Sequence, residues 1–180
     1  MKLLIDQPQA GDCAAVYELV SQCPPLDINS RYLYALQCSD FADSCILARA
    51  GDGLVGWVSG HRLPADESVL FIWQVAVRAD ARGQRLGPRL VQGLLDRQSN
   101  IQVRTLHATV TADNGPSRAM FQRIAQQLDA PISTRPWFDR DKHFAGRHDS
   151  ELLLHIGPFE RARAAATHDR NTLREFARTP

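Results

Sequence analysis

The feature that most constrains this chain is an apolar run, Val69–Val77, that ends in a short loop rich in arginine and glycine. A helical pattern starts directly after the loop, at Leu86. A strand, a tight loop and a helix start in this order leave free backbone N–H groups at a helix N-terminus, where phosphate binds readily. Arg82, Arg85 and Arg89 add positive charge there. The stretch therefore predicts a site for a diphosphate ligand.

Two common phosphate motifs are missing from this stretch. The sequence has no G-x-G-x-x-G dinucleotide fingerprint, and no G-K-[ST] that would supply a P-loop lysine and a magnesium-binding hydroxyl. These absences argue against a Rossmann or P-loop nucleotide site. An ordinary strand–turn–helix corner with solvated arginines remains an alternative to the phosphate site.

Length and charge restrict the classes of function. The chain has 180 residues, which suits one domain with a real core, and a net charge of +1, which gives no global attraction for nucleic acid. It lacks an apolar run of the roughly 20 residues that a membrane span needs. Its first residues, Met1–Asp6, are too short and too soon acidic for an export signal. We therefore expect a cytoplasmic protein without nucleic-acid or membrane partners.

Metal and triad chemistry have little support. The cysteines, none of them in C-x-x-C spacing, are predicted to be reduced and mostly buried; they are Cys13, Cys23, Cys38 and Cys45. The histidines and aspartates of the 139–149 region are irregularly spaced, so we predict no metal site. The sequence also lacks the G-x-S-x-G elbow of a hydrolase.

Hydrophobic periodicity and breakers give the order of elements. We predict helices over 12–22, with Asp12 as a possible cap, 30–39, capped by Asn29 or Ser30, 86–97 and 114–127. We predict strands over 45–48, 54–60, 69–77, 103–111 and 151–156. The 131–149 region is predicted to be a loop that could include short strands. Residues 1–158 are predicted to form one α/β (α+β) domain, and the basic 159–180 segment a short helix or a disordered tail.

The phosphate loop resembles the acyl-CoA loop of the GNAT acetyltransferase superfamily. The pattern [RQ]-x-x-G-x-[GA] is matched at Arg82 and Gly87, while Arg85 replaces the inner glycine. If the backbone needs a positive φ there, Arg85 costs roughly 1 kcal/mol. The strand before the loop and the 109–114 segment also fit. The resemblance implies the GNAT fold: a central mixed, mostly antiparallel twisted sheet flanked by helices, with two strands splayed apart at the acyl-CoA site.

Four segments resemble a narrower family, the L-2,4-diaminobutyrate acetyltransferases of ectoine biosynthesis. They are residues 26–32, 41–43, 71–77 and 148–152. This resemblance implies transfer of acetyl from acetyl-CoA to the terminal (N4) amine of diaminobutyrate, and it implies a homodimer. It also implies that residues along the strand, the loop and the next helix start contact the cofactor: Val75, Ala76, Val77, Arg82, Gly83, Gln84, Arg85, Leu86, Gly87 and Asn114. Asn114 has a competing role as a helix cap.

The acceptor amine must lose a proton before it attacks a thioester. Its pKa near 10 makes it mostly ammonium at neutral pH, so the site must accept that proton or desolvate the amine. Glu151 is the leading acceptor or ammonium anchor, against the alternative of an exposed strand-edge glutamate. His148 would relay a proton or bind the substrate carboxylate, against the alternative of a loop histidine bonded to backbone. Glu151 and His148 are therefore the predicted catalytic residues, and both are predicted to contact substrate.

Three more residues complete the predicted substrate site. Asp27 would hold the α-ammonium, or simply stabilise a turn. Asn29 would shape the same loop, chiefly as a cap. Trp73 would wall the pocket or stack on an ammonium, or else pack in the core, whereas Trp57 and Trp137 read as core or interface.

Phe121 occupies the position where many superfamily members have a tyrosine that protonates the CoA thiolate. Phenylalanine has no proton to give, so no general acid is named. Two alternatives stay open: an acetyltransferase of another amine, and a non-catalytic acyl-CoA-binding sensor, which the replacements at Arg85 and Phe121 would fit.

Overall fold

The computed structural model describes residues 3–160 and shows one mixed sheet. The strands are β1 (Leu3–Asp6), β2 (Cys45–Ala50), β3 (Gly53–Leu63), β4 (Asp66–Val77), β5 (Thr105–Thr111), β6 (Ile132–Phe138) and β7 (Glu151–Ile156). Within these residues they form a seven-stranded sheet in the order β1-β2-β3-β4-β5-β7-β6. The β4–β5 pair is parallel and the other pairs are antiparallel. The predicted mixed, mostly antiparallel GNAT sheet is confirmed.

Helices cover both faces of this sheet. They are α1 (Cys13–Ser21), α2 (Arg31–Gln37), α3 (Leu86–Leu95), α4 (Gly115–Gln127) and the short α5 (Arg140–Phe144). Along β2, Ile46 and Ala48 pack with α3 and α4 in one apolar cluster, whereas Cys45 and Leu47 pack with α1 and α2 in another. This alternation follows from the two-residue period of a strand, which sends successive side chains to opposite faces.

The parallel pairing with β5 covers only four of the twelve residues of β4. Paired residues run from Val69 opposite Thr105 to Ile72 opposite Ala108, and no β4 residue beyond Ile72 pairs with β5. The rest of β4 still pairs with β3 as far as Val77. A gap therefore opens between the second half of β4 and the end of β5, which confirms the predicted splayed strand pair.

A β-bulge lies at the start of this gap. Ile72 is opposite Gly60 and Gln74 is opposite Ser59, so Trp73 is an extra residue in β4. A bulge bends a strand and changes which face its following side chains take. Accordingly Gln74 is buried at 5% exposure while Trp73 is 46% exposed.

Several boundaries differ from the sequence prediction. β1 was not predicted, and the 131–149 region contains a full strand and a short helix rather than mainly loop. All seven residues of β6 are exposed, which explains why the segment lacks a buried-strand pattern. β3 and β4 also extend further toward their shared turn, which is limited to Pro64 and Ala65.

Helix starts show one wrong and one correct cap. The side chain of Asp12 does not cap α1; it pairs instead with Arg49 at 2.6 Å. Ser30 caps α2, since its Oγ accepts from the Leu33 N–H at 3.1 Å.

At the other end of the domain Phe159, assigned above to the tail, is 2% exposed and packs in the core. The rest of that tail, from residue 161, lies outside the described residues.

Candidate active site

Three predicted site residues from opposite ends of the chain meet in one cluster. His148 Nε2 lies 3.2 Å from Asp27 Oδ2 and 3.8 Å from Glu151 Oε1. The Glu151 side chain is 20% exposed and the His148 side chain 30%, whereas that of Asp27 is 78% exposed. The cluster therefore combines two carboxylates and one imidazole, with Glu151 the more sheltered carboxylate.

Each member is held by a different element. Glu151 is the first residue of β7 and is opposite Thr111, the last residue of β5. His148 follows α5, and its ring lies against Phe144 with centroids 4.7 Å apart. Asp27 lies in the loop before α2. The end of β5 thus places Glu151 beside the gap between β4 and β5.

The hydrogen bonds of His148 settle its tautomer. Nδ1 lies 2.7 Å from the Asp149 carbonyl oxygen. Since a carbonyl oxygen only accepts, Nδ1 carries a hydrogen and Nε2 is the nitrogen that gains or loses a proton between the two carboxylates. The hydrogen bond to the Asp149 carbonyl is the main cause that raises the pKa of His148 above its ordinary value; burial opposes it, and the charges of Asp27 and Glu151 add to the rise. The bond to backbone that the loop-histidine alternative expects is therefore present, and the role of His148 in the site stays a prediction.

A buried pair that was not predicted holds the Asp27 loop. The Gln74 Nε2 donates to the Asp27 carbonyl at 2.7 Å, and the Tyr34 hydroxyl donates to Gln74 Oε1 at 3.2 Å. The same hydroxyl accepts from the Asn29 N–H at 3.3 Å. A glutamine inside an apolar strand is the sequence signal that could have revealed this pair, because a buried amide needs partners.

Trp73 lies at the edge of the gap rather than in the core. Its ring is 46% exposed and makes an edge contact with His61, with centroids 6.4 Å apart. Simple core packing is therefore wrong for Trp73. Its predicted role as a pocket wall stays a prediction.

The predicted phosphate loop has the backbone of an anion-binding corner. Gly83 has φ +79° and Arg85 has φ +56°, both in the left-handed region. Arg85 thus adopts the conformation in which the family pattern has glycine, at the expected steric cost. Gly87 is in close contact with α4: a Cβ there would lie 2.8 Å from Met120 Sδ.

The same corner offers free donors. The hydrogen bond from Arg89 N–H to the Arg85 carbonyl, 3.2 Å long, belongs to the first turn of α3, and Pro88 has no N–H. Backbone N–H groups before this turn lack intrahelical acceptors, so those of Leu86 and Gly87 are suited to phosphate. The four loop residues before these groups, Arg82, Gly83, Gln84 and Arg85, are all exposed. Arg82 is held in place because its Nε donates to the Val77 carbonyl at 3.0 Å.

Comparison with known proteins agrees with this geometry. Residues 13–125 match the Acetyltransferase (GNAT) family. L-2,4-diaminobutyric acid acetyltransferase from Methylotuvimicrobium alcaliphilum is 42% identical, over 90% of this chain and 94% of that protein. The enzyme of the same name from Bordetella parapertussis is 46% identical, over 84% and 82%. The chain belongs to the diaminobutyrate acetyltransferase family.

Solved structures agree with membership of this family. The diaminobutyrate acetyltransferase from Paenibacillus lautus, in complex with L-2,4-diaminobutyric acid and coenzyme A, is 31% identical with a TM-score of 0.85, over 89% of this chain and 98% of that one. The ribosomal-protein-S18-alanine N-acetyltransferase from Escherichia coli, 14% identical over 91% of this chain and 98% of that one with a TM-score of 0.65, shares the fold.

The structure also gives the surroundings of the other residues that the sequence singled out in this diaminobutyrate acetyltransferase family member. Asn114 caps α4, with Oδ1 accepting from Ser117 N–H at 3.1 Å. This is the competing role noted above, and a cofactor contact there stays a prediction. Phe121 is 4% exposed in the core, Trp57 is fully buried and Trp137 is 42% exposed. Along β4, Val75 packs toward α3 while Ala76 packs toward α1 and α2.

The part of the chain that the structure describes offers neither a metal site nor a membrane-spanning helix. In residues 3–160, no group of three or more His, Cys, Asp or Glu side chains is arranged to hold a metal ion. All four cysteines are free thiols, and burial raises the pKa of Cys38 and of Cys45 to about 12. None of the helices in this part of the chain has both the length and the apolar character needed to span a bilayer.

Proposed function

We propose that this protein transfers the acetyl group of acetyl-CoA to N4 of L-2,4-diaminobutyrate. The observation that carries the proposal is the meeting of Asp27, His148 and Glu151 beside the β4–β5 gap. Their contact places an acidic cluster next to the strand on which GNAT enzymes receive the acetyl thioester. The diaminobutyrate-bound relative from Paenibacillus lautus supports the same substrate.

Charge supports a diamino acid as the acceptor. With His148 protonated, the three side chains carry a net charge of −1, from two carboxylates and one imidazolium. Diaminobutyrate with both amines protonated carries +1, so substrate and site are complementary. In this arrangement Asp27 binds the α-ammonium, while the imidazolium of His148 is suited to the substrate carboxylate.

Glu151 is the proposed proton acceptor. Its carboxylate is the more sheltered of the two and lies at the β5 end that borders the gap. The N4 ammonium gives its proton directly to Glu151, while His148 stays protonated and holds the substrate carboxylate. The free amine then attacks the thioester carbonyl carbon.

The acetyl group is proposed to lie along the open edge of β4. Backbone N–H groups near Val75 and Val77 would stabilise the developing oxyanion, since β5 does not pair with this part of β4. The diphosphate of CoA would bind the corner from Arg82 to Gly87, and Asn114 would contact the cofactor from the start of α4. Trp73 would close the pocket over the methylene chain.

The last step breaks the C–S bond and releases CoA as a thiolate. The thiolate leaves without a protein acid because the pKa of a thiol is only about 8.5. It then receives, through water, the second proton that the attacking nitrogen loses as the neutral amide forms. Phe121 is buried in the core and has no proton to donate, so the proposal uses no tyrosine-like acid.

CoA-thiol release tests the activity. Acetyl-CoA is incubated with L-2,4-diaminobutyrate and, separately, with ornithine, lysine, putrescine and spermidine, and products are analysed by NMR. Release with diaminobutyrate and acetylation at N4 are expected. Release only with another amine would overturn the substrate, and acetyl-CoA binding without any release would favour the sensor alternative.

The assembly and setting are also proposals. We infer that the enzyme supplies the precursor for ectoine, a compatible solute, in the cytoplasm, where acetyl-CoA is available. We also infer a homodimer, supported by the exposed edge strand β6 and its apolar residues Ile132, Trp137 and Phe138. Analytical ultracentrifugation should give the mass of a dimer, and Trp137→Arg should shift it toward monomer; a wild-type monomer would overturn the assembly.

A further inference from the structure

We propose that Gln74 is a positioning residue that fixes the Asp27 loop against the acetyl-receiving strand. The kinetic part of this inference rests on the proposed function. Gln74 is the first inward-facing residue after the bulge in β4 and precedes Val75 directly. Its amide joins β4 to the loop that carries Asp27.

The orientation of the Gln74 amide is determined by its partners. Nε2 donates to the Asp27 carbonyl at 2.7 Å, and Oε1 accepts from the Tyr34 hydroxyl at 3.2 Å. The reverse orientation would place two carbonyl-type oxygens 2.7 Å apart, with no hydrogen between them. The Tyr34 hydroxyl therefore gives its one hydrogen to Gln74 and accepts from the Asn29 N–H at 3.3 Å.

These bonds hold two backbone groups of one loop from opposite sides. The Asp27 carbonyl is held by β4, and the Asn29 N–H is held by α2 through Tyr34. Tyr34 is fully buried and Gln74 is 5% exposed, so solvent competes little for these bonds.

This arrangement explains how an exposed carboxylate can have a defined position. The Asp27 side chain is 78% exposed, and an exposed ion pair alone orders a side chain weakly. Anchoring its backbone carbonyl to β4 fixes the Asp27 carboxylate relative to His148 and to the open edge at Val75. The strand that receives acetyl thus also positions the group that binds the diamine.

Gln74→Met tests the inference because it keeps the length of the side chain and removes both polar atoms. We expect the KM for diaminobutyrate to rise about 10-fold, from one buried carbonyl left without its donor. The acetyl-CoA Kd should stay within about twofold. Tyr34→Phe, a smaller change in volume, should shift the KM in the same direction.

The matched control is Gln37→Met, since Gln37 is a glutamine 3% exposed in α2; it should leave the KM within about twofold.

Two further measurements separate positioning from a general loss of structure. In an Asp27→Asn background, Gln74→Met should add little to the KM, because both changes act on one carboxylate. In the free enzyme, Gln74→Met should speed amide hydrogen exchange at Asn29 about 10-fold while the Leu70 amide in β4 is unchanged. The inference would be overturned if the Asn29 amide exchanged at the same rate in Gln74→Met as in wild type. It would also be overturned if the effects of Gln74→Met and Asp27→Asn on the KM were fully additive. Because exchange needs no turnover, it tests the loop anchor even where wild-type enzyme fails to acetylate diaminobutyrate, which would overturn the proposed function alone.

Discussion

Asp27 Oδ2 and His148 Nε2 lie 3.2 Å apart, although the first precedes α2 and the second follows α5. The contact joins the two ends of the domain across the gap between β4 and β5. It also makes the protonation state of one imidazole depend on a carboxylate that is proposed to bind substrate.

Glu151→Gln should lower kcat by about 100-fold or more, because a positioned general base contributes roughly that factor. The acetyl-CoA Kd, measured by calorimetry, should change little, since the proposed contact of Glu151 is with the amine and not with the cofactor. The control is Glu67→Gln, an exposed glutamate paired at 3.8 Å with Arg62. If Glu151→Gln weakened acetyl-CoA binding while kcat held, the proton-acceptor role would be wrong.

His148 should titrate above its ordinary pKa of about 6.5 in NMR experiments on the free enzyme. Asp27→Asn should lower this pKa only in part, because the larger cause, the hydrogen bond to the Asp149 carbonyl, remains. A folded-state pKa above the unfolded value stabilises the fold fully below about pH 6.5, and this contribution is lost as pH rises through the folded pKa. The unfolding free energies of wild type and His148→Gln should therefore converge with rising pH; a gap that widened would contradict the assignment.

Arg85 should be more costly than glycine in its backbone conformation, with φ +56° and ψ +28°. Arg85→Gly should be more stable than Arg85→Ala by about 1 kcal/mol in urea denaturation, since both lack the guanidinium and differ in the tolerance of positive φ. Both variants should bind acetyl-CoA more weakly than wild type, to a similar degree. Equal stabilities would show that the loop relaxes to another conformation.

Removal of residues 160–180 should leave kcat and KM within about twofold of wild type. The reason is that Phe159 is anchored, with its ring 2% exposed and its N–H donating to the Arg104 carbonyl at 2.9 Å. A second truncation that also removes Phe159 should lose about 3–5 kcal/mol of stability, as for other large core side chains. Activity assays and urea denaturation of the two truncations form a matched pair, and a large loss of turnover with the first would contradict the prediction.

The sequence predicted the local elements well where periodicity or a breaker marked them. Pro88 and the apolar stripe placed α3, and Ser30 placed α2. It failed at β1 and β6, which are short or exposed and lack a buried pattern. Asp12 occupies the position before α1, but its side chain does not cap that helix, because its two carboxylate oxygens bind Arg49 and the Gln9 N–H.

The candidate site likewise has a part that the sequence predicted and a part that it did not. The basic loop was predicted as a phosphate site from its own residues. The resemblance of short segments to a known acetyltransferase family, together with the chemistry that an amine acceptor needs, identified Asp27, His148 and Glu151 as candidates. Their meeting depends on β7 pairing with β5, on the bulge at Trp73 and on the bonds through Gln74, which are all contacts between residues distant in sequence. The sequence determined which chemical groups are present; only the tertiary structure decided which of them share a few ångströms, because that requires long-range pairing and buried hydrogen bonds that local patterns do not encode.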